Sequence, residues 1–211
     1  MKIVEASVEL VSELDAEKIM KHIELAGRVC YKSESRISDT SAEKFIANII
    51  KSGHESVIEH VSLTFKIICD RGVTHEIVRH RLASYSQSST RYCNYASDKF
   101  GNELTFIKPC FWDEDDENYL LWQQTLEVAE KNYLAMIKNG AQPQQARSIL
   151  PNSLKTEIFM TANLREWRHF LKLRTSKRAH PQMREVALKI YKILSDNLPV
   201  IFSDILDVYS S

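Results

Sequence analysis

Glycine is scarce in this 211-residue chain: there are five, at 27, 53, 72, 101 and 140. That spread leaves no G-x-G-x-x-G dinucleotide fingerprint and no G-x-x-x-x-G-K phosphate loop, both of which need glycines a few residues apart so that backbone can close on phosphate. Any phosphate must be held mainly by side chains. Cysteine is sparse as well. The four, at 30, 69, 93 and 110, show no C-x-x-C spacing, which argues against a zinc site or a disulfide scaffold; they read as reduced thiols packed mostly in the core. No window approaches the roughly 18 apolar residues of a membrane span, and Met1-Lys2-Ile3-Val4-Glu5 carries charge where a secretory leader needs an apolar stretch. The expectation is a cytoplasmic protein. Net charge is lacking too: Lys+Arg 28 against Asp+Glu 28 sum to zero, so neither a nucleic-acid coat nor a membrane anchor follows from bulk charge.

What is present fits a folded domain. With 44% hydrophobic and 27% charged residues the chain can bury a core, and no internal repeat, low-complexity tract or linker-like boundary divides it. Val4, Ala6, Val8 and Leu10 alternate with Glu5, Ser7 and Glu9, the period of a half-buried strand; Val61, Leu63, Phe65, Ile67 and Cys69 repeat it. Helical spacing links Ala42, Phe45, Ile46, Ile49 and Ile50 between an Asp39-Thr40-Ser41 start and Gly53. Residues 71–81 read as a short helix ending in a polar segment and Ser84–Thr90 as a hydroxyl-rich loop. Tyr119, Trp122, Leu126, Ala129, Tyr133 and Met136 form a long stripe between an acidic run, Asp113 to Glu117, and Gly140; Met183, Val186, Ile190 and Ile193 mark a helix after Pro181, and Pro199 sets off a last one. This irregular order favours α+β: a single mixed domain, 1–211, with a small mostly antiparallel sheet flanked by helices.

Charge is balanced globally but not locally. Residues 71–91 hold four arginines (71, 79, 81, 91), two histidines (75, 80) and one carboxylate, Glu76; a second cluster holds Arg147, Arg165, Arg168, Arg174 and Arg178 with Asn163 and His169 among them. Arginine's planar fork makes paired bonds to phosphate or a base edge and stacks on rings, so two such segments suggest a planar, anionic ligand. Solvated helix faces are the ordinary use of a lone arginine. Three consecutive cations, Arg79-His80-Arg81, on a helix would project about 100° apart, which calls for more than one anionic partner.

Arg79-His80-Arg81, seven residues, then Ser89 and Arg91 resembles the R-H-R-x7-S signature of the flavin-dependent thymidylate synthases. Gly53-His54-x-Ser56-x-x-Glu59-His60, Ala146-Arg147-x-x-Leu150-Pro151 and Thr161-x-Asn163-x-Arg165-x-x-x-His169-Phe170-x-x-x-Arg174 are similar to further blocks of that family, in order, over roughly residues 25 to 190. The resemblance implies synthesis of dTMP from dUMP, with methylenetetrahydrofolate as one-carbon donor, NADPH as reductant and FAD as relay. It also implies a homotetramer whose shared active sites draw on more than one chain, with no metal, no nucleic acid and no membrane.

By position, Ser56, Glu59, Asn163, Arg165 and His169 match residues lining the FAD site, and Arg79, His80 and Arg81 the flavin-contacting triplet, with Arg79 also near the nucleotide. Gln87, Ser88, Ser89, Thr90 and Arg91 match the loop that takes the dUMP phosphate, with Gln87 also toward the cofactor. Arg147 adds a cation, and Glu76 lies near the nucleotide. The resemblance makes Arg174 the catalytic residue, facing the pyrimidine and favouring ionisation around N3. Glu76, Ser86 and Gln87 stand where many members carry Gln, Asn and Glu. Three rival readings remain on the sequence: Cys110 as a nucleophile, His54-Glu55 with His60 as a metal site, and Tyr85, Tyr92 and Tyr95 as stacking platforms for RNA.

Overall fold

A computed structural model describes residues 1–206. In chain order, the strands and helices are β1 (Lys2–Val4), β2 (Ser7–Leu10), α1 (Ala16–Val29), α2 (Ser41–Lys51), β3 (Ser62–Asp70), α3 (Arg71–Ile77), β4 (Ala83–Gln87) and β5 (Thr105–Ile107). There follow α4 (Glu117–Lys138), α5 (Pro143–Ala146), β6 (Lys155–Asn163), α6 (Leu164–Arg174), α7 (Pro181–Asn197) and α8 (Pro199–Phe202). Short 3-10 helices intervene, one of them Glu55–His60. The class is the expected α+β, with a four-stranded sheet in the order β2-β3-β6-β4. A separate two-stranded sheet pairs β1 with β5 in parallel, Ile3 opposite Phe106, which no alternation in the sequence announced.

Three local expectations are corrected. The alternation of residues 4–10 does not make one strand: the chain leaves β1 after Val4 and enters β2 at Ser7. The helix over 71–81 stops at Ile77, so Arg79, His80 and Arg81 lie in the turn beyond it and no helical projection applies to them. The loop at 84–90 is half strand. Its own alternation, with Ala83, Tyr85 and Gln87 half-buried and Ser84 and Ser86 exposed, fits the edge strand β4, and an edge tolerates the hydroxyls. Of the four cysteines only Cys69 is buried, where burial pushes its thiol pKa up.

The helix signals work as read. Asp116 caps α4 by accepting from the Asn118 amide at 2.7 Å, Pro181 occupies the first turn of α7, and Gly53 and Gly140, just past α2 and α4, take positive φ of 70° and 93°.

The chain forms two compact units, each assembled from separated segments. The first comprises Met1–Ser7, Ile67–Arg79 and Ser86–Ile158. Its core is Leu104, Phe106, Leu126, Tyr133, Ala146 and Leu154, with Trp122 packed against it, and the amino-terminal ammonium lies 3.0 Å from Glu130. The second comprises Val8–Lys66, His80–Tyr85 and the rest from Phe159. Trp167 is fully buried there, edge-on to Phe65 at 5.0 Å and to Phe170 at 5.5 Å, with its indole N–H donating to the Leu63 carbonyl at 3.1 Å. Within this unit α1 and α2 meet at Gly27, where an added Cβ would come within 2.7 Å of the Phe45 ring. Alanine is a better helix former than glycine by up to about 1 kcal/mol, but the overlap costs about 1–3 kcal/mol. Gly27→Ala is therefore expected to lower the denaturant midpoint despite the helical gain, and an unchanged or higher midpoint would show that Phe45 yields freely.

Candidate functional site

Each unit carries one cluster of the expected residues. In the first, β4 runs into the Ser88–Arg91 segment beside β6, the Ser88 amide donating to the Glu157 carbonyl at 2.9 Å. Buried hydroxyls organise it. The Thr74 hydroxyl donates to the Arg71 carbonyl at 2.8 Å and accepts from the Gln87 amide nitrogen at 3.2 Å; the same nitrogen reaches Thr156 at 3.2 Å, and Thr156 and Ser88 hydroxyls lie 2.9 Å apart. With both amide protons committed, Gln87 is locked in one orientation. A carboxylate there could donate to neither threonine. Ser89 accepts from the Arg91 amide at 3.3 Å, and Arg147 reaches the buried Thr90 hydroxyl at 3.4 Å. Ser88–Arg91 and Arg147 thus come together. Arg91 is exposed, its guanidinium 5.3 Å from the Tyr92 ring; Arg79 is exposed and Glu76 half-buried.

In the second unit a cavity of about 550 Å³ is lined by Glu55, Glu59, Leu82, Asn163, Arg165, Glu166, His169 and Lys172. Four expected residues are among them. Arg165 and Glu59 pair at 2.5 Å, holding α6 to the 3-10 helix that also bears the exposed Ser56. Asn163 begins α6, its side-chain oxygen accepting from the Glu166 amide at 2.9 Å. Arg81 is exposed.

His80 and Arg174 meet directly. Arg174 Nε donates to His80 Nε2 at 3.2 Å, and His80 Nδ1 lies 2.9 Å from Glu166 Oε1. His80 is 4% exposed and Glu166 6%; the Phe170 ring stands edge-on to the imidazole at 4.9 Å. Burial lowers the His80 pKa below its ordinary 6.5, Arg174 and His169 add repulsion, and Glu166 pulls only partly the other way. Both ring nitrogens of His80 are thus occupied. Ligand atoms of His80, Glu166 and His169 lie within 4.8 Å of one another, with the Arg174 guanidinium against His80.

Sequence reasoning missed Glu166, Thr74, Thr156 and Lys172, and read Glu55 only as a metal ligand. Glu166 had a local signal, an acid three residues after the cap Asn163, but its partner lies 86 residues away. Of the tyrosines in the RNA reading, the Tyr85 hydroxyl donates to the His80 carbonyl at 2.5 Å and the Tyr95 ring packs on Tyr133 at 5.8 Å, while Tyr92 is exposed beside Arg91; Glu55 of the metal reading is paired with Arg168. Among the described residues no helix is long and apolar enough to cross a membrane.

Frame and clusters together define an α+β protein that gathers arginines, hydroxyls and an amide in two places. Its fold is that of PolB, a UMP/dUMP methylase from Streptomyces cacaoi solved with 5-Br dUMP, with a TM-score of 0.78 at 24% identity over 99% of this chain and 98% of that one. Residues 9–200 match the family described as thymidylate synthase complementing protein. Relatives named flavin-dependent thymidylate synthase include that of Pyrococcus furiosus, 42% identical over 75% of this chain and 65% of that protein, and that of Geobacter sulfurreducens, 33% identical over 86% and 80%. The chain belongs to this family, the flavin-dependent thymidylate synthases; it spans just under two thirds of the P. furiosus relative.

Proposed function

We propose that the protein is a flavin-dependent thymidylate synthase, methylating dUMP to dTMP with methylenetetrahydrofolate as one-carbon donor, NADPH as reductant and FAD as cofactor. The whole chain serves as one catalytic domain in a cytoplasmic homotetramer with shared active sites. The observation that carries this reading is the partly buried contact between His80 and Arg174, residues of two separate signature blocks 94 positions apart.

The donor set of the second unit's cavity suits FAD. Arg165, Lys172 and the Asn163 amide are cationic or amide groups for a pyrophosphate, and Leu82, 74% exposed, offers apolar surface to a ring. Ser56, Glu59, Arg81 and His169 complete the set in this unit, and Arg79 and Gln87 are assigned to the cofactor by the resemblance alone. When bound, FAD supplies hydride transfer. The chain's own residues do the rest. Ser88, Ser89, Thr90, Arg91 and Arg147 take the dUMP phosphate, hydroxyls and two guanidiniums doing what a glycine-rich loop does elsewhere. Glu76 and Arg79 contact the nucleotide. Arg174 places a fixed cation against the pyrimidine, stabilising negative charge around N3 so that electron density at C5 can attack the one-carbon unit. No protein nucleophile is needed, and Ser89 binds rather than attacks, its hydroxyl accepting from the Arg91 amide.

Purified protein should be yellow and form dTMP only when FAD, dUMP, methylenetetrahydrofolate and NADPH are all supplied. A folded, flavin-loaded protein that forms none refutes the reading. Ser89→Ala is expected to raise the dissociation constant for dUMP about tenfold, one charge-assisted hydrogen bond, with turnover at saturation retained; complete loss of turnover at unchanged affinity would restore a nucleophilic serine.

A further inference from the structure

A guanidinium has no acceptor, so the contact from Arg174 Nε requires a lone pair on His80 Nε2. A neutral imidazole bare at Nε2 carries its proton on Nδ1, and Nδ1 faces Glu166. One tautomer therefore serves both partners. We propose that His80 is a positioning residue for Arg174: clamped by Glu166 as the neutral Nδ1–H tautomer, it fixes the plane of the guanidinium and hence the direction in which the fork projects. The inference rests on the proposed function and adds Glu166 to the machinery.

The surroundings enforce the clamp. Glu166 sits in the first turn of α6, whose amide is capped by Asn163, so the carboxylate is held where the helix starts while Arg174 projects from where it ends. The groups facing His80 are Glu166, His169 and Arg174 from α6 and Tyr85 from β4. Tyr85 stays neutral, burial and then Glu166 raising its pKa to about 12. A proton added to Nε2 would remove the acceptor and set an imidazolium against the guanidinium. With the His80 pKa lowered, the neutral brace is intact at and above pH 6.5 and is lost as pH falls below it.

The test combines a ring-nitrogen spectrum of the FAD-loaded protein labelled with 15N-histidine, His80 being assigned by its loss in His80→Gln, with the pH profile of kcat for dTMP formation. At pH 8 His80 should be protonated at Nδ1 and bare at Nε2. In His80→Gln the amide oxygen can still accept from Arg174 and cannot titrate, so kcat should stay within about tenfold of wild type and the acid limb assigned to His80 should vanish. In His80→Leu, which removes the acceptor that orients Arg174 Nε, kcat should fall on the order of 100-fold, the cost of a misplaced catalytic group, with a smaller change in KM for dUMP. A proton on Nε2 at pH 8, an acid limb unchanged in His80→Gln, or Gln no better than Leu would overturn the proposal. If no variant and no wild type forms dTMP, the spectrum still decides the brace, and it is the proposed function that fails.

Discussion

Arg174→Ala is expected to reduce dTMP formation by about 100- to 1000-fold, roughly 3–4 kcal/mol of transition-state stabilisation for one fixed donor, while the flavin bound per chain stays near that of wild type. The two readouts separate because Arg174 is not among the residues lining the cavity that carries Arg165, Lys172 and Asn163. Arg174→Lys sharpens the point. Lysine keeps the charge but has no planar fork and no Nε–H for His80, so a rate well below wild type with flavin content unchanged would show that direction matters as well as charge. Normal turnover in Arg174→Ala would remove the catalytic assignment.

The second large effect falls on stability. Arg168 is 1% exposed and is held by Glu55 at 3.0 Å, by both oxygens of Asp204 at 2.6 and 2.7 Å, and by the Ile201 carbonyl. It ties α6 to the 3-10 helix bearing Ser56 and Glu59 and to the segment after α8. Burial would raise the Asp204 carboxyl, but the hydrogen bond and charge of Arg168 outweigh it and hold its pKa below the ordinary value. Removing one member of a buried ion network costs about 3–5 kcal/mol. Lys172 still pairs with Glu55 at 3.3 Å and Asp204 is 45% exposed, so Arg168→Ala belongs at the low end, about 3 kcal/mol. Urea unfolding of the FAD-free protein measures it; a loss under about 1 kcal/mol would mean that water replaces the network. The sign of the pH effect follows from the lowered Asp204. Its contribution is present above the ordinary carboxylate range and is lost as pH falls through the folded value, so the difference between wild type and Arg168→Ala should shrink in acid.

Much of this was legible in the sequence, for identifiable reasons. The stripes of α2, α4 and α7 and the alternation of β3 are local patterns with caps or stops beside them, and each became the expected element. What failed depended on partners distant in the chain. β4 exists because β6, some 70 residues on, gives its hydroxyl-rich backbone a ladder; β1 and β5 pair across a longer gap still, Lys2 opposite Thr105. The two units were illegible because each is made of segments that the other interrupts. The site divided likewise. The resemblance singled out Ser89, Arg91, Arg147 and Arg174 as expectations, but Glu166 behind His80 and the threonines that lock Gln87 are visible only once separate strands and helices are folded together.

The central claim is that guanidiniums from distant stretches hold one nucleotide, and a crystal structure of the FAD-loaded protein with dUMP tests it most directly. The phosphate should lie within hydrogen-bonding distance of Ser89, Arg91 and Arg147, and the uracil ring should face an Arg174 still bound to His80. A phosphate bound elsewhere, with those arginines turned to solvent, would contradict the account.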